Sequence, residues 1–517
     1  MKHVAYADDL AGAGTIQKLR IWWQKVMEHG PPQGYHPNEE KTVLVVKPGL
    51  LQVAREIFND TRVKITEEGS RHLGSVIGTS EYKMKFVEDQ VAQWIAEIER
   101  LADIAKTQPQ AAYTALTFGI KHRWNFVLRT VPNISELLMP LETTIAQKLI
   151  PSLAGGRNPA ELDRAIVALP PRLGGMGIPI PNEIADMEHQ NSKKLTAKLT
   201  QLIVDQDESG EVDLSELVKT RIEIAKEREK RQKNKSDLIK DELVDINMKR
   251  RLEMAQEVGA SNWQTALPIK AKGFSLNRQE FEDALALRYG WSLNGLPQAC
   301  PCGLAFNANH AMTCKSGGFI SDRHDEVRNI TAQMLQEVCR DVRVEPPLIR
   351  TNGTVFHHRQ ANAADEARLD VSARDFWRRG QRAFVDVRIF NPMAESNIGQ
   401  GLAAAHRSHE LQKKRQYDER IREVEQGTFT PLVFTTSGGM APQAITFYAH
   451  LAQRLSEKKM QSKSSVVAWM RCRLSFSLLR SAILCIRGTR AKPPIYTSVG
   501  DLDFEEAVVD SRIDTRM

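Results

Sequence analysis

Two runs near the C-terminal third carry the side chains best suited to divalent-metal chemistry. Arg368-Leu369-Asp370-Val371 and Ala383-Phe384-Val385-Asp386-Val387-Arg388-Ile389 are short apolar stretches, each with one Asp at the polar phase of its alternation. Antiparallel pairing through the basic turn Arg378-Arg379-Gly380 would set both carboxylates on one edge of a sheet, where they could share a divalent ion. Such a site also needs a cation to steady a pentavalent phosphate or orient water, and Arg388, Lys413 and Lys414 are the candidates. The alternative is a surface hairpin with solvated aspartates. At the other end, Asp8 and Asp9 follow the short strand Val4-Ala5-Tyr6. Adjacent carboxylates at a tight hairpin suit Mg²⁺- or Mn²⁺-dependent phosphoryl transfer, although Asp-Asp also opens ordinary turns and helices.

A second set of residues suits a softer metal. Cys300, Cys302, His310 and Cys314 supply three thiolates and an imidazole, the tetrahedral set that binds structural Zn²⁺. Gly303 permits the turn that brings the first pair round one ion, while the Cys-x-Cys spacing is tighter than usual and leaves a reduced, metal-free packing cluster as the alternative. Asp205, Asp207, Ser209, Asp213 and Glu216 fall at the ligand positions of a helix-loop-helix Ca²⁺ loop, with Gly210 at the sixth place. Such loops work in pairs and no second one is present in the sequence, so an acidic linker explains the stretch too.

The elements that would position these groups follow from periodicity. The chain has 517 residues, which at roughly 100–200 per domain implies several folding units. Residues 1–80 read as short strands around one helix, a mixed α/β piece. Helical spacing of Val91, Trp94, Ile95, Ile98 and Leu101 opens an all-α region over 81–200. Residues 201–255 alternate basic and acidic side chains with a thin apolar line, predicting an exposed helical connector. The segment 256–320 contains the cysteine cluster. Residues 321–495 read as helix, three strands, helix, strand and helices, an α/β domain, and 496–517 as a tail. The excess of 71 Lys+Arg over 64 Asp+Glu is compatible with a polyanionic partner without naming one. Few cysteines and no run approaching the ~20 apolar residues of a membrane span predict a soluble intracellular protein, nuclear or cytoplasmic, with no membrane partner.

Two parts of this order resemble one source. Tyr6-Ala7-Asp8-Asp9, then Gly34-Tyr35-His36-Pro37-Asn38-Glu39-Glu40-Lys41-Thr42, then Arg71-His72-Leu73-Gly74 resemble the palm of reverse transcriptases, and the helices after residue 81 look like its thumb. The resemblance implies that Asp8 and Asp9 are metal-site carboxylates, that Lys41 lies near the incoming nucleotide, and that Leu73 and Gly74 grip the primer. The family uses a further Asp far upstream together with nucleotide-clamping fingers, so this chain by itself is expected not to polymerise DNA.

The cysteine cluster, Arg323-His324-Asp325-Glu326, Val344-Glu345-Pro346, the two Asp-bearing runs and the helix with Lys413, Lys414 and Tyr417 resemble the restriction-like endonuclease that ends certain non-LTR retrotransposon proteins, a relative of the PD-(D/E)xK nucleases. That implies metal binding by Asp370 and Asp386, assistance from Glu326 or Glu345, and a lysine from the 413–414 pair. Leu369 stands where the family has Pro, and Arg388 where the motif has Lys. The expected architecture is therefore a multidomain α/β and α chain: partial palm, helical thumb, helical linker, zinc knuckle and restriction-like endonuclease domain. The expected function is metal-dependent DNA nicking in a truncated reverse transcriptase, with DNA and RNA as partners. A catalytically inactive nucleic-acid-binding remnant is the alternative, and a Ca²⁺-binding regulator a more distant one.

Overall fold

The computed structural model describes residues 1–158, 163–207, 210, 213–351, 355–362 and 366–490. Ser209 and the 496–517 tail lie outside them. The chain is mixed α/β and about 58% helical, so helix packing carries most of the core while the sheets stay small. No helix among the described residues is long and apolar enough to cross a membrane.

The first 80 residues hold three two-stranded ribbons. β1 (Lys2–Tyr6) and β2 (Asp9–Ala13) form a hairpin, followed by α1 (Ile16–His29). β3 (Val43–Val45), α2 (Leu51–Ile57) and β4 (Lys64–Thr66) make a parallel crossover pair, and β5 (Gly69–His72) turns into β6 (Ser75–Gly78). Ile16, Trp23, Val46, Ala54, Phe58 and Val63 form a small core of their own. The β5–β6 hairpin belongs elsewhere, because Val76 joins the large helical core.

That core begins with α3 (Ser80–Ala105), whose N-cap Thr79 accepts from the Tyr82 amide. α4 (Pro109–Ala115) runs through a π-helical stretch into α5 (Lys121–Thr130), and α6 (Met139–Thr144) likewise into α7 (Ile150–Leu153). α8 (Arg164–Ala168) and the long α9 (Pro181–Asp205) follow. α10 (Leu214–Glu242) is the charged stretch, and here the structure corrects the connector reading. Its ion pairs Arg228 to Glu188, Lys194 to Glu227 and Lys235 to Glu183 lay it along α9, so the alternating charges are met by a partner helix rather than by water alone. α11 (Ile246–Ala255), α12 (Arg278–Tyr289, with an Asn277/Glu280 capping box) and the segment between them send Leu252, Trp263, Phe274, Leu276, Phe281 and Leu285 into the same core. The expected boundaries at 200 and 255 therefore cut through one packed body.

The remainder builds a four-stranded sheet. α13 (Ala308–Ala311) lies in the cysteine cluster, and α14 (Phe319–Gln336) leads to β7 (Arg340–Val344), β8 (Val371–Arg374) and β9 (Arg382–Phe390). After α15 (Glu395–Ile398), α16 (Leu402–Glu423) crosses over to β10 (Thr428–Thr435), then come α17 (Pro442–Lys459) and α18 (Lys463–Arg487). The strand order is β10-β9-β8-β7, with β9 and β10 parallel and the other pairs antiparallel. Ala383, Val385 and Val387 face Val327, Ile330, Phe447, Leu451 and Leu474 of α14, α17 and α18. Phe384 alternates to the other face, where Tyr417 and Ile421 of α16 cover it. Burying each such side chain contributes roughly 1.5–3 kcal/mol.

Candidate functional site

The β8–β9 register sets Val371 opposite Val385, and its continuation sets Asp370, one residue before β8, opposite Asp386. Alternation turns Asp386 to the face under α16, where it is 5% exposed. A carboxylate buried there needs a counter-charge, and α16 provides one: Lys413 Nζ lies 2.7 Å from Asp386 Oδ2. At that distance the pair is a charge-assisted contact that leaves Oδ2 a further lone pair. Asp370 Oδ2 accepts from the Val387 amide at 2.5 Å and faces His324 Nε2 at 3.1 Å. His324 Nδ1 in turn faces Asp325 Oδ1 at 3.2 Å.

Burial pushes the Asp386 carboxyl up to about 6, with Asp370 adding to the rise and Lys413 opposing it. For His324, burial works against the imidazolium, but the Asp370 and Asp325 carboxylates outweigh it and raise the ring to about 9. Tyr417, with Lys413 over its ring at 5.6 Å, has its phenol pushed up to about 12 by burial and by Asp386 and Asp370. Two carboxylates, an ammonium and a charged imidazole thus converge between a strand pair, the start of α14 and the middle of α16. Perturbed groups so clustered are the mark of a candidate site.

The other residues expected here lie apart. Glu345 forms an ion pair with Arg328 and turns its carboxylate to solvent, although its amide donates to the Asp370 carbonyl at 2.9 Å. Glu326, two residues past His324, faces away and lines a groove with Arg473 and Arg480. Lys414 is half-buried and Arg388 exposed. His324 was not singled out from the sequence, although it stands in the Arg323-His324-Asp325-Glu326 string. Residue type gave the signal, but which side of α14 meets the sheet is set by distant packing.

The Cys300, Cys302, His310 and Cys314 donor atoms all lie within 4.8 Å of one another, and among the described residues they are the one such group of His, Cys, Asp or Glu. Cys300 Sγ is 3.7 Å from Cys314 Sγ, and Cys302 Sγ is 3.4 Å from His310 Nε2. Ligands around tetrahedral zinc stand about 3.8 Å (S to S) and about 3.5 Å (S to N) apart, so the cluster can hold a metal ion such as zinc. Local chemistry explains the shape. Gly303, at φ +88°, donates to the Cys300 carbonyl, and the Asn307 side chain caps α13 by accepting from the His310 amide at 2.9 Å. Burial raises the Cys314 thiol, but Ser316 donors and the neighbouring thiols bring it below its usual value. Four protein donors would leave a tetrahedral ion there no open coordination position.

The N-terminal candidates are placed at turns. Asp8 and Asp9 sit exposed at the β1–β2 turn, where Ala7 takes φ +53°. Leu73 and Gly74 form the β5–β6 turn with φ +47° and +79°, and Lys41 is exposed with its amide on Asn38 Oδ1 at 3.1 Å. None of them contributes to a convergent ligand group among the described residues. In the acidic loop, Asp213 is engaged as the N-cap of α10, accepting from the Ser215 amide, and Asp205 accepts from Gln201 Nε2 at 2.6 Å. Asp205, Asp207, Asp213 and Glu216 do not converge as a metal group. The sequence matches no protein-family model and no curated protein.

Proposed function

We propose that the protein hydrolyses phosphodiester bonds of DNA at the Asp370–Asp386 site, as a nuclease of the restriction-like kind that non-LTR retrotransposon proteins carry. The observation that carries this reading is the buried Asp386–Lys413 pair set opposite the Asp370–His324 pair across one strand register. The donor chemistry fits a hard cation: the two carboxylates offer oxygen ligands, Asp386 from a buried face of the sheet. Asp370 and Asp386 would hold Mg²⁺ or Mn²⁺, which when bound supplies Lewis-acid polarisation of the phosphoryl oxygen and an acidified water.

The chain's own residues do the rest. Lys413 places an ammonium where negative charge grows on the pentavalent phosphorus. His324, held charged, fixes the rotamer of Asp370. Hydrolysis forms a bond from water oxygen to phosphorus and breaks the bond to O3′, leaving a 5′-phosphate and a 3′-hydroxyl. The proposed activity resides in the C-terminal sheet, because there Asp386 is buried against Lys413 and Asp370 is set against His324, whereas Asp8 and Asp9 stand exposed on a hairpin. The Cys/His cluster holds structural zinc on this reading.

The test is nicking of supercoiled plasmid with Mg²⁺ or Mn²⁺. Wild type is expected to nick, Asp386→Asn to lose the activity, and Lys413→Ala to lose about 100-fold. Equal rates in wild type and Asp386→Asn sink the site assignment. Salt-sensitive DNA binding without nicking under either metal would instead establish an inactive nucleic-acid-binding protein.

A further inference from the structure

Three arginines stand in one row across the sheet. Arg340 on β7 lies opposite Arg374 on β8, which lies opposite Arg382 on β9. Like charges placed directly across a strand pair destabilise it, and a sheet that keeps such a row breaks a local rule without an internal gain. Arg378 and Arg379 extend the row into the β8–β9 turn, and Arg343 flanks it on β7.

The nearby carboxylates neutralise it only at Arg382. Asp341 accepts from Arg343 Nε at 2.9 Å and pairs with Arg382, and Arg343 and Arg382 hold its carboxyl below the usual range. Asp375 accepts from the Gly380 amide at 2.5 Å and so shapes the turn. Among the described residues no carboxylate pairs with Arg340, Arg374, Arg378 or Arg379, and all of them are exposed.

The row shares a face with the aspartates. Asp370, Ser372 and Arg374 follow one another at the two-residue period of β8, as do Asp386, Phe384 and Arg382 on β9, and Arg382 Nη1 donates to Ser372 Oγ at 2.9 Å. Four residues of strand separate Asp370 from Arg374, about 13 Å. That is the axial length of about four nucleotides of one strand.

We propose that Arg340, Arg374, Arg378 and Arg379 form a phosphate-binding row for a nucleic-acid strand whose reacting phosphate lies at Asp370 and Asp386. The inference rests on the nuclease reading for that last contact. A regular polyanion is the occupant the geometry favours, because Arg374 and then the turn residues Arg378 and Arg379 follow Asp370 along the β8–β9 hairpin, with Arg340 beside Arg374 on the neighbouring strand. Their partners are backbone phosphates, so the row positions the strand without reading its sequence.

The experiment is fluorescence anisotropy of a labelled 30-base-pair duplex, titrated with the full-length, zinc-loaded protein without added Mg²⁺ or Mn²⁺ across NaCl concentrations. For the combined Arg374→Ala, Arg378→Ala, Arg379→Ala variant the slope of log affinity against log salt is expected to shrink by about 2–3. The matching triple lysine variant is expected to retain the wild-type slope. Should the triple alanine variant not fold, Arg379→Glu, in the turn outside both strands, is expected to lower the slope by about 1. An unchanged slope overturns the proposal, as does displacement of the duplex by polyglutamate or by phosphatidylserine vesicles at equal charge. A wild type that binds with this arginine-dependent slope but never nicks refutes the nuclease reading and leaves the row standing. A nicking wild type whose slope survives the triple substitution refutes the row alone.

Discussion

Asp386 and Lys413 leave water together: their side chains are 7% and 17% exposed, so each charge is tolerable only beside the other. That pairing was half legible beforehand, since alternation put Asp386 on the polar phase and left Lys413 and Lys414 as equal candidates. Position on α16 decides between them, because Lys413, one turn before Tyr417, reaches both that ring and Asp386. His409, one turn earlier, shows the opposite case of a group buried without help. Both ring nitrogens lack a hydrogen-bond partner, and the ring lies 4.3 Å from that of Phe390. Burial first, then Arg388 and His406, push its pKa down to about 4. An unfolded histidine titrates near 6.5, so between about 6.5 and 4 the unfolded chain binds the extra proton. The contribution of His409 to stability is therefore full above about pH 6.5 and is lost as pH falls through about 4. Urea midpoints measured from pH 7 to pH 4 should fall less in His409→Phe than in wild type. Parallel curves would show that the ring does not feel its burial.

At the scale of elements, the Cys/His cluster and the carboxylate site are joined by the first turns of α14. Arg323, buried at 2% exposure, donates from Nη2 to the Met312 carbonyl at 3.3 Å, and its neighbour His324 meets Asp370. Phe319 packs with Cys300, Cys314 and Cys485 in the same small core. A metal that holds the cluster closed thus also fixes where α14 begins. Cys302→Ser removes the one exposed thiol of the set without burying a new polar group. It is expected to reduce bound zinc from about one ion per chain to near none by elemental analysis, and to speed amide exchange over 319–326. Loss of zinc with unchanged exchange would separate cluster from helix. The cluster was legible because its ligands are close in sequence. The strand pair was legible because alternation is local. What α14 does with its several faces was not, since Arg323 meets Cys485, His324 meets Asp370 and Glu326 faces Arg473 and Arg480, all far away in the chain.

Across the whole molecule, boundaries read from composition failed where packing is long-range. Residues 252–289 have no pattern tying them to 81–200, yet Trp263 and Phe281 stack edge to face at 5.9 Å inside that core. Phe476 of α18 enters the same core and stacks on Phe274 at 5.1 Å, while Asp283 takes a bidentate contact from Arg487. The helical core and the C-terminal sheet are thereby one mechanical unit. The N-terminal part differs. Its core of Ile16, Trp23, Val46, Ala54, Phe58 and Val63 is separate, and the His3 backbone reaches the end of α9 by donating to Gln206 Oε1 at 2.9 Å and accepting from Gln206 Nε2 at 3.0 Å. Those exposed bonds contribute about 1 kcal/mol each at most. Glu68 must be kept, because its carbonyl accepts from Thr79, the cap of α3. Deleting residues 1–66 should consequently leave the main unfolding transition within about 2 °C of the full chain, and plasmid nicking and its dependence on Asp386 intact. A fall of more than about 5 °C, or loss of nicking at unchanged stability, would show that the N-terminal ribbons belong to the working body of the protein rather than resting against it.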